Sequence, residues 1–145
     1  MEKTEHKVLV ANRGEIAVRI VQACRKLGLE FVCVHTAEDI HSGHVRIAKE
    51  LGGEKSLYQV SSYHDANEIL SVADDAGATA IHPGYGFLSE NAQFAEACRK
   101  NGVSFIDNYY GAITMEDTDC LTDGYHLNQK GREKIAERFG KIFKQ

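Results

Sequence analysis

A chain of 145 residues that is 43% hydrophobic and 26% charged has the composition of one globular α/β-sized domain with a sizeable core. Its formal charge of -4 argues against nucleic acid or an anionic membrane as partner, and no run reaches the roughly eighteen apolar residues of a membrane span. Residues 1–6 lack the apolar core of a secretory signal, and Cys24, Cys33, Cys98 and Cys120 lack metal-ligand spacing, so reduced thiols in a cytoplasmic protein are expected.

In chain order, Val8 to Ala11 reads as a strand and Ile16 to Leu27 as a helix, with Ile16, Ile20, Ala23, Cys24 and Leu27 on one stripe. Glu30 to His35 is the second strand, followed by a polar loop and a short helix from Val45 to Leu51. Ser56 to Val60 reads as a weaker strand. A helix from Tyr63 to Ala76 is then expected, capped by Ser61 or Ser62. Ala78 to Ile81 is the next strand, Asn91 to Lys100 the next helix, and Val103 to Ile106 the last clear strand. Farther on, a helix starting near Gln129 carries Ile135, Ala136, Phe139, Ile142 and Phe143 on one stripe. Strands alternating with helices predict a three-layer α/β domain, a mostly parallel flavodoxin-like or Rossmann-like sheet with helices on both faces. The expected strand order is 2-1-3-4-5.

Two loops follow strand ends and carry the chemistry. Asn12-Arg13-Gly14-Glu15 presents backbone donors at a helix start, a weak anion site without the lysine of a phosphate-binding loop. Arg13 has Glu15, Glu90 or a ligand as its candidate partner. The second loop, His82-Pro83-Gly84-Tyr85-Gly86-Phe87-Leu88-Ser89-Glu90-Asn91, holds the only proline of the chain. His82 either ends its strand with a backbone hydrogen bond or faces a ligand. Pro83, Gly84 and Gly86 shape the loop, Ser89 is expected to cap the following helix, and Glu90 favours that helix's positive end. His35, His41, His44, His82 and His126 fall near strand ends, but their spacing does not predict a metal site.

Lys7-Val8-Leu9-Val10-Ala11-Asn12-Arg13-Gly14-Glu15-Ile16-Ala17-Val18-Arg19-Ile20 resembles the opening of biotin carboxylase, as do Ala37-Glu38-Asp39, His44-Val45-Arg46-Ile47-Ala48 and the stretch Ala80 to Asn91. The resemblance covers about residues 6–106 and departs from the family at Lys49 and at Asp107-Asn108. It implies ATP, Mg²⁺ and biotin as cofactors of the family, and places the second loop beside the biotin and bicarbonate cleft, with Glu90 and Asn91 as carried-over candidates. The family builds its nucleotide site from an ATP-grasp domain and a carboxyl-terminal domain, which do not fit in the 39 residues after Ile106. No cofactor is therefore expected for the isolated chain, and its implied partner is a carboxylase domain or a second copy.

The tail differs. Phe105-Ile106-Asp107 with Leu121-Thr122-Asp123-Gly124-Tyr125-His126-Leu127-Asn128-Gln129-Lys130-Gly131 resembles the closing block of GDSL/SGNH hydrolases over about residues 104–143. That resemblance makes Asp123 the orienting acid and His126 the general base of a serine esterase. The serine is missing: Asn12 stands in the first-strand loop, and Ser42 and Ser89 lack a nucleophile-elbow sequence. Together the two resemblances predict a single α/β domain over 1–145, joined as an engineered or recombined chimera near Phe105-Ile106. Its expected function is that of a catalytically incomplete domain derived from biotin carboxylase, with enzyme activity of the isolated chain left open. The alternatives are an SGNH-like ester hydrolase and a noncatalytic binding or assembly module of a biotin-dependent carboxylase.

Overall fold

The computed structural model describes residues 6–106, and the statements below concern those residues. The strands are β1 (Lys7–Val10), β2 (Glu30–His35), β3 (Leu57–Gln59), β4 (Ala80–His82) and β5 (Ser104–Phe105). The helices are α1 (Gly14–Leu27), α2 (Gly43–Gly52), α3 (Ala66–Ala76) and α4 (Ala92–Lys100), with short 3-10 turns at Ala37–Asp39 and Glu54–Ser56. The sheet is wholly parallel, in the order β3-β2-β1-β4-β5. Val8 pairs with Phe31 on one side and Ala80 on the other, and Leu9 with Val32 and Ile81.

The expected 2-1-3-4-5 order is therefore corrected. A central parallel strand is covered on both faces and must be apolar throughout. Ala80, Ile81 and His82 are all buried, and this strand lies beside β1. Leu57 and Tyr58 are half-buried and Gln59 is exposed, a pattern suited to the sheet edge beside β2.

Alternation along the strands divides the core into two layers. Leu9, Ala11, Val32, Val34 and Ile81 pack with Ile69, Val72 and Ala73 of α3 and with Phe94 and Cys98 of α4. The intervening Val8, Val10 and Cys33 are fully buried on the opposite face. There α1 and α2 pack on each other and on the strands, burying Ala17, Ile20, Val21 and Cys24 from one helix and Val45 and Ala48 from the other. Cys24, Cys33 and Cys98 are free thiols; burial pushes Cys24 up to about 12 and Cys98 up to about 11.

Two helix starts differ from expectation. Asp65, not Ser61 or Ser62, caps α3, its carboxylate accepting from the Glu68 N–H at 3.0 Å. Asn91, not Ser89, caps α4 by accepting from the Phe94 N–H at 2.9 Å. Among the described residues no helix is long and apolar enough to cross a membrane. The helix expected beyond Gln129, with Ile135, Phe139 and Phe143, lies outside the described residues.

Candidate functional site

Strand order reverses between β1 and β4, since the chain runs outward from β1 through β2 to β3 and returns to β4 on the other side. In open parallel sheets, loops leaving the carboxyl ends of such a strand pair diverge and leave a crevice. Both loops singled out from the sequence meet there. The Ala11 N–H donates to the His82 carbonyl at 3.0 Å, which aligns the two strand ends.

Asn12 joins the loops. Its buried side-chain amide donates to the carbonyls of Pro83 and Tyr85, both at 2.7 Å, and its own oxygen accepts from the Arg13 N–H at 2.7 Å. Both amide protons are committed to protein acceptors. Gly84 fits against this clamp with φ +65, and a Cβ there would stand 2.7 Å from the Asn12 Nδ2. His82 is buried and accepts from the Gly84 N–H through Nδ1 at 3.2 Å. Burial lowers its pKa to about 4, so the ring is neutral and its proton sits on Nε2. The backbone bond is present, at the Gly84 N–H.

Farther along this loop, Gly86 has φ +69 and accepts from the Ser89 N–H at 2.8 Å. Phe87 has φ +47, and its ring lies 5.2 Å from that of Tyr63 and 4.8 Å from that of His64. Ser89 is buried and its hydroxyl meets no partner among the described residues. Glu90 is exposed and makes no ion pair among the described residues, while Asn91 is committed through its oxygen to the α4 cap. Gly14, with φ +66, opens α1.

Arg13 pairs with neither Glu15 nor Glu90. It makes a two-pronged contact with Asp39, Nε to Oδ2 and Nη2 to Oδ1, each at 2.7 Å, while Glu15 bonds Arg19. The Tyr63 hydroxyl also donates to Asp39 Oδ2, at 2.6 Å, and accepts from the Thr36 N–H at 3.3 Å. Hydrogen bonds from Arg13 and then Tyr63 hold the Asp39 carboxyl well below the usual carboxylate range. Burial, reinforced by the bond to Asp39, pushes Tyr63 up to about 12. Sequence reasoning missed Asp39 and Tyr63 as functional neighbours. The available signals were an acid just after β2 and a lone aromatic within the polar run Ser61 to Asp65.

His44 and His35 are held individually. His44 Nε2 donates to the Val34 carbonyl at 3.2 Å, so its Nδ1 accepts from the Ser42 hydroxyl at 2.8 Å; burial lowers its pKa. His35 Nδ1 donates to the Thr36 carbonyl at 2.9 Å. Among the described residues no three His, Cys, Asp or Glu side chains gather closely enough to hold one ion. An open depression of about 330 Å³ lies over the ends of β2 and β3, bordered by Glu38, Gln59, Ser62, His64 and Phe87, and no lysine or arginine lines it among the described residues.

The family model for the biotin carboxylase N-terminal domain matches residues 4–112. The α subunit of mitochondrial methylcrotonoyl-CoA carboxylase from Rattus norvegicus is 40% identical over 148 residues, covering 94% of this chain and 21% of that protein. Biotin carboxylase 1 of Bacillus subtilis is 47% identical over 112 residues, covering 77% of this chain and 25% of its own length. The solved biotin carboxylase domain dimer of Hydrogenobacter thermophilus 2-oxoglutarate carboxylase, in complex with MgADP, ADP and bicarbonate, has a TM-score of 0.64. It is 40% identical and the match covers 72% of this chain and 23% of that one. The chain thus spans about a quarter or less of these relatives. The hydrolase tail and the chimeric junction are corrected by the same findings. The 39 residues after Ile106 exceed a quarter of the chain, so a match to 94% of it must run far past that point. One continuous carboxylase resemblance replaces two. Asp123 and His126, which drew their roles from the hydrolase resemblance, lie outside the described residues.

Proposed function

The chain belongs to the biotin carboxylase N-terminal domain family, and we propose that its residues form one wall of a biotin-carboxylating site without completing that site. The observation that carries this reading is the Asn12 clamp, which ties the β1 and β4 loops together where a ligand crevice is expected. Glu90 is the exposed acid on that wall, and Asn91 anchors the helix behind it.

The described residues do not fit the phosphates of ATP or their Mg²⁺. Arg13 is already paired with Asp39, and among the described residues no cation borders the neighbouring depression and no cluster of metal ligands is present. Phosphoryl transfer needs such charges around the moving oxygens. ATP, Mg²⁺ and biotin therefore belong to this reading through the family, and the nucleotide falls to a partner carboxylase domain. This chain's residues hold the cleft wall in shape and keep His82 neutral within it. The dimeric Hydrogenobacter relative favours a second copy as a further partner.

The test uses ADP release with ATP, Mg²⁺, bicarbonate and free biotin. The chain alone should match a protein-free control. Adding it to the Bacillus biotin carboxylase shortened by its matching segment should restore biotin-dependent turnover. Turnover by the chain alone would overturn the incompleteness, and failure of a saturating excess to restore any would overturn the wall.

A further inference from the structure

The β4 loop, His82 to Asn91, meets the sheet through the Ala11 N–H bond to the His82 carbonyl and buries Leu88 in the core, and two side-chain anchors hold the stretch between. At its base, Asn12 takes the carbonyls of Pro83 and Tyr85. At its tip, the Phe87 ring rests on Tyr63 and His64. Phe87 is the one non-glycine residue with positive φ among the described residues, a conformation a bulky side chain keeps only when its surroundings hold it. The bonds Gly84 to His82, Ser89 to Gly86 and Asn91 to Leu88 are local to the loop. They fold the loop upon itself without fixing it to the sheet.

The two anchors converge on one carboxylate. Arg13 is the neighbour of Asn12 and accepts no freedom of its own, because Asp39 grips both its Nε and Nη2. Tyr63, which supports Phe87, donates its hydroxyl to the same Asp39 Oδ2. Asp39 is itself fixed by the turn Ala37–Asp39: its N–H donates to the Thr36 carbonyl at 3.1 Å and its carbonyl accepts from the Ser42 N–H at 2.9 Å. The Thr36 N–H closes the circuit on the Tyr63 hydroxyl. We propose that Asp39 is a positioning residue that sets the β4 loop against the sheet by joining its base anchor, through Arg13 and Asn12, to its tip anchor, through Tyr63 and Phe87. Asp39 acts on the loop through Arg13, Asn12 and Tyr63. The consequence for carboxylation rests on the wall reading above; the geometry of the loop does not.

Amide hydrogen exchange on the full 145-residue chain tests this. Three variants are compared: Asp39→Asn, Tyr63→Phe, which keeps the ring on Phe87 but removes its bond to Asp39, and Val72→Ala, a core change in α3. Asp39→Asn should speed exchange at Gly84, Ser89 and Asn91 about tenfold or more beyond any change in the β1 and β2 amides, and Tyr63→Phe about threefold or more. Val72→Ala should speed both sets together, as global destabilisation does. Equal acceleration of loop and strand amides in Asp39→Asn, or an unmoved loop, would overturn the proposal. Should Asp39→Asn fail to fold, Tyr63→Phe decides: no loop-selective change in it overturns the proposal alone. Exchange requires no carboxylase partner, so loop-selective acceleration together with absent turnover in the restoration assay would sink only the wall reading.

Discussion

Gly84→Ala measures how closely the two loops meet. Two effects oppose that methyl group. The first is backbone: at φ +65 an L side chain crowds its own carbonyl, costing about 1–2 kcal/mol. The second is long-range. The new Cβ would lie 2.7 Å from Asn12 Nδ2, 3.3 Å from Asn12 Cβ and 3.2 Å from Ile16 Cγ1. Asn12 cannot yield without lengthening its bonds to Pro83 and Tyr85, each worth about 0.5–1.5 kcal/mol net. The expected destabilisation is therefore about 2–5 kcal/mol.

Gly28→Ala supplies the reference. Gly28 has φ +72, and nothing lies within 4 Å of its ideal Cβ, so it carries the backbone effect alone, about 1–2 kcal/mol. In urea unfolding the midpoint of Gly84→Ala should fall below that of Gly28→Ala by about 1 M, for a slope of about 1–3 kcal/mol per M. Equal midpoints would refute the argument that Asn12 and Gly84 are in forced contact, leaving only a conformational preference at the turn.

Phe94→Ala should cost about 3–5 kcal/mol in the same assay, because the ring is 1% exposed and meets Phe105 edge-on at 5.8 Å; a loss below about 1 kcal/mol would remove it from the core. For Asp39→Asn the informative quantity is pH dependence: the folded carboxyl lies below its unfolded value, held there by Arg13 and then Tyr63, so its stabilisation is complete above the ordinary carboxylate range. The stability gap between the parent and Asp39→Asn should thus be level from about pH 5 to 8 and shrink as pH falls below about 4, and a gap that widens on acidification would contradict the pairing.

The periodic signals in the sequence located the elements well. Glu30 to His35 has the same bounds in sequence and structure, because an unbroken apolar run between polar residues has few other readings. The glycine and proline punctuation at residues 82–91 marked the β4 loop for the same reason. Strand order was less legible. It depends on which side of β1 each crossover lands, and the deciding contrast, a half-exposed Leu57–Gln59 against a fully buried Ala80–His82, appears only in the packed sheet. Caps were mistaken where several cap-competent residues stood together: Ser61, Ser62 and Asp65 before α3, Ser89 and Asn91 before α4. Arg13 and Asp39 lie 26 positions apart, and local charge patterning offered the nearer Glu15 instead. The hydrolase resemblance rested on a short block around Asp123 and His126, whereas the carboxylase motifs extend through ordered segments from Lys7 to Asn91.

These arrangements give the family's opening motif an internal structural role. Asn12, Arg13 and His82 are the residue types expected to meet an anion at a strand end. Here the Asn12 amide spends both protons on loop carbonyls, Arg13 spends its fork on Asp39, and His82 is neutral with Nδ1 on the Gly84 amide. Polar groups buried at the base of a crevice must be satisfied, and internal satisfaction makes them rigid. A rigid base lets the exposed part of the loop, where Glu90 stands, keep one geometry without being packed itself. On the proposed reading the motif prepares a wall, and the chemistry there would depend on groups that approach it from outside the described residues.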